Sequence, residues 1–151
     1  MIRFETNSSR ETQELGAKIG SLLKAGDVLA LEGPLGAGKT TLVQGIAKGL
    51  EVDDMGEVVS PTFVLIHEYE GREKIYHIDW YRLSKIIGSD QLLAQECFNS
   101  EAVTLVEWAD RGKKIFPKEH IRVCMKYKGH QARILDISAK GKRFEHFLRK
   151  L

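Results

Sequence analysis

The chain has 151 residues, 42% hydrophobic and 29% charged, with a formal net charge of +2. That is enough for one compact soluble domain with its own core, and too little charge to argue by itself for a nucleic-acid or membrane surface. Cys97 and Cys124 have neither metal-ligand nor redox spacing, MIRFETNSSRET has no signal-peptide core, and no apolar run approaches membrane length, so a reducing, cytoplasmic location is expected.

In chain order, Ser8 or Ser9 caps a helix running to about Lys24, with Leu15, Ile19, Leu22 and Leu23 on one face and Gly26-Asp27 as the stop. VLALEG (28–33) barely alternates and reads as a fully buried strand. A helix is expected from Gly38 to Leu50, then a loop, EVDDMGEVVSPT, over 51–62. VLIHEYEG and EKIYHIDWYR read as two strands turning at Gly71-Arg72. Residues 83 to 99 are polar and read as helical, and AVTLVEW (102–108) as another buried strand. IRVCMKYK and ARILDIS form a second hairpin around Gly129-His130, and Lys140 to Leu151 closes the chain as a helix. Internal repeats are absent. The mixture indicates a three-layer α/β domain with antiparallel hairpins.

Between the first strand and second helix stands GPLGAGKT, residues 33–40. Two glycines around four residues, then Lys-Thr, are the pattern of a phosphate loop. Glycines let successive backbone N–H groups curl around phosphate oxygens, and the following helix points its positive end at the same anion. Lys39 would reach the β- and γ-phosphates and the Thr40 hydroxyl would bind Mg²⁺. A Gly-rich turn with no ligand would give the same letters, but here an apolar strand precedes the motif and an apolar-periodic helix follows.

Such a site also needs an acid for Mg²⁺ and a group to place water. Glu107 ends the apolar run AVTLV, and a buried strand has few other reasons to end in Glu-Trp. On a strand, His77, Asp79 and Tyr81 of HIDWYR would share one face; a site and an exposed hairpin face explain Asp79 equally well. Pro61 makes SPTF (60–63) a rigid elbow presenting Thr62. In chain order Thr62 stands where P-loop GTPases carry a threonine that senses the γ-phosphate, although a plain loop-to-strand turn has the same sequence. Trp108 is either a core anchor or a ligand neighbour. His67, His120 and His146 have no partner at ligand spacing and read as structural or surface. Without Asn-Lys-x-Asp or an arginine-rich lid, adenine is the base left by exclusion. Arg82 is the single candidate for an arginine finger in the chain itself.

Taken together, GPLGAGKTT, SPTF, HIDWYR and LVEW resemble, in order and spacing, the TsaE (also called YjeE) family of bacterial tRNA threonylcarbamoyladenosine synthesis. The chain departs from the family at 83–101, where an acidic helix and a Gly-Leu/Ile turn are replaced by SKIIGSDQLLAQECFNSE. The resemblance implies a single P-loop ATPase domain over 1–151 with a mixed central sheet. It implies slow Mg²⁺-dependent ATP hydrolysis raised by the partners TsaD and TsaB, which transfer the threonylcarbamoyl group to the adenosine beside the anticodon. Carried over by motif, Leu35, Gly36, Ala37, Gly38, Lys39, Thr40 and Thr41 hold the phosphates, and Thr40 and Glu107 hold Mg²⁺. Asp79 serves hydrolysis, Thr62 lies in a switch-like loop, the acidic stretch 51–59 is a switch that partners order, and Trp108 flanks the site. Ser9 and His130 fall near the family's base-contacting segments. A small metabolite kinase and a nucleotide-dependent binding module without turnover are the competing readings. Lys113, Lys114, Arg143, Arg149 and Lys150 could touch tRNA, or could simply be a solvated basic surface.

Overall fold

The computed structural model describes residues 1–53 and 65–151. Most of the acidic loop, with Ser60, Pro61, Thr62 and Phe63, lies outside the described residues. The elements are β1 (Ile2–Thr6), α1 (Ser9–Leu22), β2 (Val28–Glu32), α2 (Lys39–Gly49), β3 (Ile66–Glu70), β4 (Lys74–Asp79), α3 (Gly88–Phe98), β5 (Val103–Glu107), β6 (Ile121–Lys128), β7 (Ala132–Ala139) and α4 (Lys142–Lys150). They form one seven-stranded sheet in the order β1-β7-β6-β2-β5-β4-β3. The central four, β6, β2, β5 and β4, run parallel, while β3, β7 and β1 add antiparallel edges. The expected α/β architecture with a mixed central sheet and antiparallel hairpins is the one observed. Among the described residues, no helix is long and apolar enough to cross a membrane.

The sheet is covered on both faces, which is why β2 and β5 are buried at every residue and their sequences do not alternate. Leu29, Leu31, Leu105 and Val123 pack beneath α1, α2 and α4 in the larger core. Ala30, Ile78, Trp80 and Val106 pack with α3 and Phe98 in a smaller one on the other face. Helix α1 is capped by Ser8, whose hydroxyl accepts the Glu11 N–H at 3.1 Å.

Two elements were not legible in advance. β1 has Phe4 as its one large apolar residue packed on the core and exists because it pairs with β7. A 3₁₀ turn, Ala109–Ile115, follows β5. The expected helix over 83–99 is confined to Gly88–Phe98, and β4 stops at Asp79. Tyr81 therefore lies in a turn beyond the strand rather than on its face.

Helix α2 is fixed by an unusually close approach to α1. A Cβ on Gly20 would stand 2.2 Å from the Ile46 carbonyl oxygen, and one on Gly45 2.2 Å from that of Gln13. These backbones touch with no room for a methyl group. Gly45→Ala is expected to lower unfolding free energy by about 1–3 kcal/mol through overpacking, measured by urea denaturation.

At the end of β2, Glu32 is 8% exposed and holds Arg122 in a fork, Oε1 to Nε at 2.8 Å and Oε2 to Nη2 at 2.5 Å. Burial pushes the Glu32 carboxyl up, but the Arg122 hydrogen bonds and charge, with Lys113, outweigh it and hold the group below its usual range. A depressed folded pKa stabilises above the unfolded value of about 4.3, and that stability is lost as pH falls through the folded value. Arg122 is partly exposed and screened, so the pair contributes about 1 kcal/mol. Glu32→Gln should therefore melt roughly 2–4 °C below the parent at pH 7, with the gap closing in melts taken below pH 4.

Candidate functional site

The carboxyl ends of β2, β4 and β5 lie side by side, where open α/β sheets present their ligand sites. β2 runs into residues 33–38, which turn sharply and start α2. Gly36 (φ +76°) and Gly38 (φ +100°) occupy left-handed conformations that a side chain disfavours. Gly38 is the N-cap of α2 and supplies no side-chain cap, so the first N–H groups of the helix are available to an anion. Lys39, the first helical residue, is 4% exposed. Its Nζ donates to the carbonyls of Gly33 at 2.7 Å and Pro34 at 2.9 Å. It lies 4.0 Å from the centre of the Trp108 ring. An ammonium has three donors, so two carbonyls do not saturate it. Burial lowers its pKa below the ordinary lysine value, while Glu107 and Asp79 pull the other way.

Sheet register brings the two acids together: Glu107 is the Cα partner of Leu31 on one side and of Asp79 on the other. The Thr40 hydroxyl donates to Glu107 Oε1 at 2.9 Å. The other oxygen, Oε2, is 2.6 Å from His77 Nε2, and the Tyr69 hydroxyl is 3.0 Å from His77 Nδ1. A carboxylate only accepts, so Nε2 donates, and in the neutral imidazole Nδ1 is left to accept from Tyr69. Glu107 is 2% exposed and His77 is fully buried, so this is a fixed internal chain. Asp79, 5% exposed, accepts the Tyr81 N–H through Oδ1 at 2.8 Å. Trp108 takes a left-handed backbone (φ 59°), uncommon for a bulky residue, which turns its ring onto Lys39 and 5.1 Å from that of Tyr81.

These groups border a cleft of about 450 Å³. Leu35, Gly36, Gly38, Lys39, Thr40 and Thr41 line one side. Asp79, Tyr81, Glu107 and Trp108 line the other. Ala37 is buried behind the loop. Ser9 and His130 are exposed and are not among the lining residues; the capping hydroxyl is that of Ser8. Thr62 lies outside the described residues. Sequence reasoning took His77 only as a neighbour of Asp79 and did not single out Tyr69 or Arg111. The sole advance signal for the first two was their alternation onto one side of their strands. Arg111 follows Glu-Trp-Ala-Asp; its Nη1 donates to the carbonyls of Trp80 at 3.2 Å and Leu83 at 3.0 Å and also to that of Tyr81. It thereby holds the turn after Asp79.

Hard oxygen donors facing one another at the end of a phosphate loop suit Mg²⁺, which takes one or two protein ligands and completes its shell from phosphate and water. Among the described residues no group of three or more His, Cys, Asp or Glu is placed to hold a metal.

The model of the family described as "Threonylcarbamoyl adenosine biosynthesis protein TsaE" matches residues 6–135. The chain belongs to the TsaE family. The TsaE protein of Bacillus subtilis is 37% identical over 151 residues, 99% of this chain and 93% of that protein. That of a Nostoc species is 40% identical over 142 residues, 91% and 86% of the two chains. A crystal structure of Bacillus subtilis YdiB superposes with a TM-score of 0.80 at 34% identity, covering 99% of this chain and 92% of that one. As a TsaE protein, the chain has its place in tRNA threonylcarbamoyladenosine biosynthesis. Three of the five basic residues considered for tRNA contact have an acidic neighbour: Lys113 lies 3.8 Å from Glu32, Arg149 lies 3.5 Å from Glu145, and Arg143 bonds Asp27.

Proposed function

We propose that the chain is a Mg²⁺-dependent ATPase. Its conversion of ATP to ADP and phosphate would reset the TsaD–TsaB synthase between threonylcarbamoyl transfers to the adenosine beside the tRNA anticodon. The observation that carries this reading is the 2.9 Å contact between Thr40 and Glu107, next to buried Lys39 at the start of α2. The N–H groups of the loop and α2 bind the phosphates, and Lys39 compensates charge on the β- and γ-oxygens. Bound Mg²⁺ would supply further neutralisation of the phosphate charge. Asp79, in register with Glu107, orients the water that adds to the γ-phosphorus as the bond to ADP breaks. Trp108 and Tyr81 screen one wall of the cleft.

Low activity in isolation is expected: Arg82, the finger candidate of the sequence, is exposed in the turn beyond β4, and two arginines nearer the cleft are committed to backbone carbonyls. Arg111 donates to the turn carbonyls of 80–83, and Arg133 to the carbonyls of Gly36 and Ala37. A missing arginine finger costs on the order of 10³ or more in rate, which a partner would have to restore.

The test is phosphate release from Mg-ATP by the purified protein, alone and with TsaB plus TsaD, using Lys39→Ala as the blank. A large rise on adding partners, absent in the variant, is expected. Phosphate transferred only to an added metabolite would favour a kinase. Tight ATP binding with no turnover in the presence of both partners would favour a binding module.

A further inference from the structure

Carbonyl groups in a tight loop need partners as much as N–H groups do, and those of residues 33–37 are all satisfied. Gly33 and Pro34 accept from Lys39 Nζ, and Pro34 also accepts the Ala37 N–H at 3.1 Å. The next three are held from outside the loop, all by the β6–β7 hairpin. The Tyr127 hydroxyl donates to the Leu35 carbonyl. Arg133 donates through Nε to Ala37 at 3.0 Å and through Nη2 to Gly36 at 3.4 Å.

We propose that Tyr127 and Arg133 are positioning residues that aim the phosphate-binding N–H groups of the loop by holding its carbonyls on the opposite side. This inference rests on the nucleotide-binding reading above and extends it to two residues outside the cleft. A trans peptide is planar, with its C=O and the following N–H pointing in opposite directions. Holding the carbonyls of 35, 36 and 37 toward the hairpin therefore turns the N–H groups of 36, 37 and 38 away from it. That of Ala37 closes the turn onto Pro34. Those of Gly36 and Gly38 remain, and both residues line the cleft.

The fit between loop and hairpin is tight. A Cβ on Gly36 would stand 2.6 Å from the Tyr127 hydroxyl oxygen, and one on Gly33 2.7 Å from the Met125 carbonyl oxygen. Arg133 is itself immobilised. Its Nη1 donates to the carbonyls of Ala132 at 2.9 Å and His130 at 3.2 Å, and its Cζ lies 4.6 Å from the Tyr127 ring centre. Each arm of the fork thus has a carbonyl to hold, a geometry that a lysine cannot reproduce.

The experiment measures the ATP dissociation constant by calorimetry for the parent, Arg133→Ala, Arg133→Lys, Tyr127→Phe and Lys128→Ala. Amide ¹⁵N shifts of Gly36 and Gly38 are recorded alongside as a readout of peptide orientation. Lys128 lies in the same hairpin but pairs with Glu5 at 2.7 Å, so its variant controls for a general loosening of the hairpin. Arg133→Ala should weaken binding about tenfold or more and move both glycine shifts. Arg133→Lys should recover only part of the loss, Tyr127→Phe should weaken binding several-fold, and Lys128→Ala should match the parent. Equal affinity in the parent and Arg133→Ala would overturn the positioning role. So would full recovery by lysine, which would mean that charge alone suffices. A parent that binds no ATP would instead remove the nucleotide reading itself.

Discussion

Lys39→Ala should lower phosphate release from Mg-ATP, with partners present, by a factor on the order of 10² to 10³. The cause is local. Lys39 is the buried cation at the head of α2, and its Nζ lies where two loop carbonyls and the Trp108 ring converge. No other cation among the residues that line the cleft can replace it. The variant should still fold cooperatively. Alanine leaves the Gly33 carbonyl without its lysine donor, but Pro34 keeps its bond from the Ala37 N–H and Glu107 keeps both Thr40 and His77 as partners. Phosphate release and thermal melting on the same preparation separate lost chemistry from lost structure. A folded variant turning over at the parental rate would sink the assignment.

How much of this could be read in the letters depends on how local the cause is. The phosphate loop was legible because strand, glycines, lysine and helix are contiguous, and each imposes its own conformation. Glu107 was legible because a carboxylate at the end of a fully buried strand is costly without a task. Asp79 could not be told from an exposed hairpin position until sheet register set it beside Glu107, 28 residues further along the chain. β1 was illegible because its pairing partner, β7, begins more than 120 residues later. The hold of Tyr127 and Arg133 on loop carbonyls was equally hidden, since it involves backbone oxygens that every sequence has. Tyr81 was misplaced for a different reason. Strand alternation was carried two residues past Asp79, where Arg111 instead gathers the chain into a turn.

Glu107→Gln should have the second largest effect. It should lower turnover on the order of 10² and raise the Mg²⁺ concentration for half-maximal rate by about tenfold or more. Glutamine keeps the shape and can still accept from Thr40 or His77, so the fold should tolerate it while the anionic group proposed to hold Mg²⁺ is lost. The inner chain makes the result sharper. His77 fixes the far oxygen of Glu107 at 2.6 Å and is itself fixed by Tyr69 at 3.0 Å. His77→Phe fills similar space but removes the donor, so the near oxygen can swing from Thr40. It should raise the Mg²⁺ requirement about tenfold with a smaller loss of maximal rate. It should also cost about 1–3 kcal/mol in stability for the carboxylate left unpaired. In the double variant the two effects on Mg²⁺ should not add, because both act through one carboxylate. Metal titrations of the parent, both single variants and the double variant close this cycle. Simple additivity would mean that His77 serves the core and not the carboxylate proposed to hold Mg²⁺.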